Sequence, residues 1–171
     1  MKSGQKAVWV ARYGMLIALA MVLSYVEAAI PVKLPVPGMK LGLANLVTIV
    51  GLYTVSVKGT AMVALLRIVL VGFTFGNQFS MMYGLAGGAV SLLLMIGAKK
   101  TGWFSSTGVS VIGGIGHNLG QISVAVWITK TIGTLVYLPA LLAAGTVAGT
   151  VIGILGGMVA ARIRTITQNY T

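Results

Sequence analysis

Apolar residues run along this chain in long stretches, separated by short segments in which proline, glycine, lysine and polar side chains gather. A helix needs about 20 apolar residues to cross the hydrocarbon of a bilayer. Six stretches approach or reach that length: 8–29, 41–57, 60–76, 78–98, 108–130 and 138–161. The pattern predicts an all-α integral membrane protein, a six-transmembrane-helix bundle that uses residues 1–171 as a single transmembrane domain. Between the first two stretches, Pro31, Pro35 and Pro37 remove backbone donors and bias their predecessors away from helix, so this segment reads as a loop. A turn is expected at Lys58-Gly59 and a loop over 99–107. The second and third stretches are short for a bilayer, which predicts spans that stand upright or end below the headgroups.

Composition agrees with this pattern, with 57% hydrophobic and 8% charged residues and a mean hydropathy of +1.00. The first stretch follows the basic residues Lys2, Lys6 and Arg12 and is long enough to span, so it is expected to be a retained helix rather than a cleaved signal. The net charge of +11 would suggest nucleic acid in a soluble protein. Here the basic residues sit at the ends of apolar runs, as determinants of topology do, and no nucleic-acid partner is expected. With the N-terminus inside, Lys2, Lys6, Arg12, Lys58, Lys99, Lys100, Arg162 and Arg164 fall on the cytoplasmic side, against Lys33, Lys40 and Lys130 outside. Both termini are therefore expected in the cytoplasm of a prokaryotic cell, with the protein multi-pass in its plasma membrane. Trp9 and Trp103 then mark the inner interface, and Trp127 and Tyr137 the outer one.

Small residues at four-residue spacing let helix backbones approach closely. Gly145, Gly149, Gly153, Gly157 and Ala161 form such a ladder in the sixth stretch, open to two readings: packing within the bundle or contact with another subunit. Gly14 and Ala18 in the first stretch, and Gly84 and Gly88 in the fourth, are further candidates for a partner helix.

An ionisable side chain within hydrocarbon is costly and usually faces the bundle interior or a cavity. Arg67, near the middle of the third stretch, is the first such candidate, satisfied either by neighbouring polar groups or by a ligand's anionic or carbonyl oxygen. The second is Gly116-His117-Asn118-Leu119-Gly120-Gln121, where His117, Asn118 and Gln121 recur at three- and four-residue spacing among glycines. That cluster reads as a binding wall or as a purely structural polar group. Under the expected topology Glu27, Asn45, Asn77, Gln78, Tyr83 and Gln121 lie in the outer half and His117 and Asn118 near the middle. The implied chamber is polar, open outward and closed below, with Lys40 and Asn45 at its rim and the proline-rich loop across it. Absences narrow the chemistry further. Glu27 is the sole carboxylate side chain and there is no cysteine, so paired-carboxylate catalysis, aspartate-rich magnesium sites and thiolate metal sites cannot be built. No GxxxxGK[ST] occurs, and Gly38-Met39-Lys40 lacks that spacing. The chain is expected not to be an enzyme and to need no metal or cofactor.

The segments Pro35-Val36-Pro37-Gly38-Met39-Lys40-Leu41-Gly42-Leu43-Ala44-Asn45, Leu66-Arg67-Ile68, Tyr83-Gly84-Leu85-Ala86-Gly87-Gly88 and His117-Asn118-Leu119-Gly120-Gln121 together resemble the Gx transporter family, also named heptaprenyl diphosphate synthase component I. That family is similar to the substrate-binding S components of energy-coupling factor transporters, six-helix proteins with cytoplasmic termini that capture micronutrients under the loop between helices one and two. The resemblance implies a substrate-binding subunit for a vitamin-like or cofactor-precursor solute. It would work with a transmembrane coupling subunit and ATPase subunits, with Gly14 and Ala18 meeting the coupling subunit. Lys40, Asn45, Arg67, His117, Asn118 and Gln121 are the expected substrate contacts, favouring an anionic or carbonyl-rich ligand. Two alternatives stand beside this reading: a non-catalytic accessory protein that binds a prenyl diphosphate or quinone precursor, and a small membrane scaffold or assembly protein.

Overall fold

A computed structural model describes residues 3–30 and 42–169, with the side chains of 7–30 and 42–168. Among these residues the chain forms six α-helices: α1 (Ser3–Ala29), α2 (Asn45–Thr54), α3 (Val57–Thr74), α4 (Gln78–Thr101), α5 (Ser106–Thr129) and α6 (Leu138–Asn169). A short 3₁₀ segment, Ile132–Tyr137, leads into α6. The expected order of elements is present, and five of the helices are long and apolar enough to cross a membrane.

The second helix departs from its expected span of 41–57. It has ten residues, about 15 Å by helical rise. Local chemistry at both ends sets this length. Gly42 adopts a φ of 90°, in the left-handed region, and a turn over Leu43 and Ala44 delays the helix until Asn45. At the other end the Ser56 side chain accepts the N–H of Gly59 at 3.0 Å and starts α3 three residues before the expected position. The loop expected over 99–107 is shorter than foreseen, because α4 continues to Thr101 before Gly102 closes it in a left-handed cap and Ser105 opens α5.

Glycine decides how closely the helices meet. A Cβ on Gly145 would lie 2.9 Å from the Gly114 carbonyl oxygen, one on Gly149 2.8 Å from Val111 Cα, and one on Gly153 2.6 Å from Thr107 Cα. The ladder of α6 is therefore spent on packing against α5, inside the bundle. On α4, Gly84 and Gly88 receive Ile68 of α3, while the opposite side receives α5. Gly14 differs, with no atom within 4 Å of an added Cβ, and both it and Ala18 are exposed on α1.

Arg12, Thr54, Val55 and Ile163 line one groove, and Tyr53 touches Lys99 and Arg164. The start of α1, the α2–α3 connection, the end of α4 and the end of α6 thus share one end of the bundle. Trp9 and Trp103 are exposed at this end and Trp127 and Tyr137 at the other, which suits two aromatic belts.

Candidate functional site

A cavity lies near the end of the bundle opposite the chain termini, and Glu27, Gly42, Arg67, Ser80, His117 and Gln121 form its polar lining. Four helices and the turn before α2 contribute. Glu27 stands two residues from the end of α1, and its Oε1 accepts the backbone N–H of Gly42 at 2.5 Å. Arg67 comes from α3, seven residues before its end, about 10 Å by helical rise. Its Nη1 donates to Ser24 Oγ of α1 at 3.4 Å, and it interacts electrostatically with Glu27. Ser80 is set by a capping box in which Asn77 Oδ1 accepts the Ser80 N–H at 2.8 Å and Ser80 Oγ accepts the Asn77 N–H at 3.0 Å.

The far wall is α5. His117 Nε2 and Gln121 Nε2 are 2.8 Å apart, so with the amide as donor the imidazole presents Nε2 as acceptor and carries its proton on Nδ1. Gly87 makes room for that ring: an added Cβ there would stand 2.8 Å from His117 Nδ1. Gly42 closes the site from the other direction, where an added Cβ would stand 3.4 Å from His117 Cδ2. Arg67, His117 and Gln121 are respectively 6%, 2% and 1% exposed, so each depends on protein partners rather than bulk water.

Of the residues expected to contact substrate, Arg67, His117 and Gln121 are brought together around one cavity. Asn45 is buried at the start of α2, where an added Cβ on Gly42 would come within 3.0 Å of its Nδ2, but it does not line the cavity. Asn118 points elsewhere: its Nδ2 donates to the Leu141 carbonyl of α6 at 2.5 Å. A one-residue step rotates a helix by about 100°, so His117 and Asn118 face different neighbours. Lys40 lies outside the described residues. Two polar side chains of the cavity, Glu27 and Ser80, and Ser24 behind Arg67 were not among the expected contacts. Glu27 carried a signal, as the sole carboxylate of the sequence, whereas Ser80 and the supporting Ser24 are small hydroxyls of a kind common in apolar helices.

The space open to a water's centre is about 20 Å³, enough for one or two waters. A larger solute requires the walls to part. The chemistry on offer is a guanidinium, a carboxylate, an imidazole and an amide in a low-dielectric setting, suited to orienting a polar solute.

Five long apolar helices, four of them lining a buried polar cavity, define a multi-pass helical membrane protein. The chain belongs to the heptaprenyl diphosphate synthase component I family, whose model matches residues 16–159. No curated protein and no solved structure matches it.

Proposed function

We propose that the protein is the membrane-embedded substrate-binding subunit of an energy-coupling factor type importer, capturing a vitamin-like or cofactor-precursor solute. The observation that carries this reading is the convergence of Glu27, Arg67, His117 and Gln121 on one cavity near an end of a membrane bundle. Ionisable groups at membrane depth are rare, face the bundle interior or a cavity, and mark solute and ion pathways. The cavity adjoins Gly42, which follows the segment joining α1 to α2. The exposed Gly14 and Ala18 leave a smooth strip on α1 for a coupling subunit, and ATPase subunits would supply the energy. The termini are then cytoplasmic, and the cavity faces outward.

Both signs of charge in the cavity favour a ligand with a carboxylate or carbonyl for Arg67 and a hydrogen-bond donor for Glu27. A prenyl diphosphate accessory role is the second reading, supported by the family's description, and it meets an electrostatic obstacle. The carboxylate of Glu27 shares the cavity with the single guanidinium and repels a diphosphate. Neither reading includes catalysis by this chain.

The deciding experiment is mass spectrometry of small molecules extracted from the purified full-length protein and from folded Arg67→Ala and Gln121→Ala variants. A water-soluble micronutrient retained by the parent and depleted at least tenfold in both variants is the expected result. Equal retention in all three would overturn the cavity assignment, and a retained polyprenyl diphosphate would replace the first reading by the second.

A further inference from the structure

At the other end of the bundle, α4 and α6 bring two cations to one tyrosine of α2. Lys99 Nζ of α4 lies 4.6 Å from the centroid of the Tyr53 ring, and Arg164 Cζ of α6 lies 5.5 Å from the same centroid. Lys99 Nζ also donates to the Leu52 carbonyl at the C-terminal turn of α2. At the same end Arg12 of α1 lines a separate groove with Thr54 of α2 and Ile163 of α6, each one residue along from Tyr53 and Arg164. Among the described residues no carboxylate side chain stands near these cations. Glu27 is the only one, and it stands fifteen residues from Arg12 along α1, about 22 Å by helical rise.

The groove beside Arg12 is apolar. Met15, Leu16, Val55 and Ile163 form most of it, and by the measure used above it offers about 110 Å³, several times the space of the polar cavity. Along α1, Met15 and Leu16 follow Arg12 by three and four residues, so the groove runs from the cationic rim toward the middle of the membrane. A cationic rim with an apolar groove descending from it matches a phosphate headgroup followed by an acyl chain.

We propose that Arg12, Lys99 and Arg164, with the Tyr53 ring between the last two, form a binding site for one anionic phospholipid. Its phosphate is held at the cationic rim, and one acyl chain lies in the groove between α1, α2 and α6. The lipid belongs to the leaflet that the chain termini face. It supplies negative charge opposite these cations and ties α1 to α6.

The test is native mass spectrometry of the full chain released from detergent containing equimolar dioleoyl phosphatidylglycerol and dioleoyl phosphatidylcholine. Arg12 and Arg164 are both exposed, so the R12Q/R164Q variant leaves the packed interior intact. Lys99 is left unchanged because it caps α2. Near a membrane surface each basic residue favours an anionic lipid by about five-fold. The parent should therefore carry a phosphatidylglycerol adduct in preference to phosphatidylcholine, and the double variant should lose that preference by about ten-fold or more. Lys130→Gln, at the opposite end, should retain it. Equal adducts of the two lipids on the parent, or an undiminished preference in R12Q/R164Q, would overturn the proposal. So would complete displacement of the lipid by millimolar inorganic phosphate, which would show an anion site without an acyl groove.

Discussion

Glu27 and Gly42, fifteen residues apart in sequence, are joined by a 2.5 Å hydrogen bond from the Gly42 backbone N–H to the Glu27 carboxylate. The bond fastens the end of α1 to the turn that starts α2, so the one acidic side chain of the chain closes the site as well as charging it. Since Arg67 shares the cavity, Glu27 also opposes a guanidinium that would otherwise be a lone charge in apolar surroundings. Glu27→Gln keeps an acceptor for Gly42 and removes the charge. Without that carboxylate the buried guanidinium loses its opposing charge, which is destabilising. The variant should therefore unfold at clearly lower temperature in detergent, and Glu27→Gln/Arg67→Met should recover much of the loss. A single variant that melts with the parent would show that the two charges are not coupled.

Gly42 holds a φ of 90° and sits against Asn45 and His117. A left-handed backbone costs an L-residue about 1–2 kcal/mol before any contact is counted. Gly42→Ala should lower stability by at least that much and reduce solute retention, because the new methyl group crowds Asn45 Nδ2 at 3.0 Å on the side of the turn that faces His117. Chemical denaturation of the reconstituted protein, read alongside retention, distinguishes the two effects.

Asn118 and Gln121 should separate cleanly. Asn118→Ala removes the bond to the Leu141 carbonyl between α5 and α6, a loss of about 1 kcal/mol, and should leave solute retention unchanged. Gln121→Ala should remove the partner of His117 and depress retention. Isothermal binding measurements on both variants with the identified solute provide the check, and a matching loss of affinity in the two would place Asn118 at the site.

The two kinds of small-residue face make opposite predictions. An added Cβ on Gly114 would stand 2.4 Å from the Gly145 carbonyl oxygen, so Gly114→Ala must push α5 and α6 apart, at about 1–3 kcal/mol. Gly14→Leu stands on an exposed face where an added Cβ meets nothing within 4 Å, and it should change stability by less than about 0.5 kcal/mol, while weakening any complex with a coupling subunit. Thermal scans report the first difference and co-purification of tagged partners the second.

Much of the architecture was legible because hydrocarbon imposes a severe rule: only long apolar runs can cross it, and anything ionisable within one stands out. Arg67 and the pair His117 and Gln121 were visible for that reason. The shortness of α2 was not, because Leu41 to Ala44 is as apolar as a helix would be and only the backbone of Gly42 turns it aside. Asn118 looked like a member of the cluster, since its three-residue spacing from Gln121 is helical, yet spacing to one neighbour does not fix the direction faced. The glycine ladder of α6 left two partners open on pattern alone; the atoms of α5 within 3 Å of it select one.

The exposed strip of Gly14 and Ala18 lies on the same helix as Glu27. Arg67 contacts that helix through Ser24, whereas His117 and Gln121 stand on α5, which glycine locks to α4 and α6. The cavity is consequently a seam between a lightly held pair of helices and a tightly clasped trio. A partner that gripped the strip on α1 and tilted it would have a lever of some 15 to 20 Å with which to pull the carboxylate away from the imidazole. The grip and the seam are two ends of one rod, so whatever seizes the first works the second without touching it.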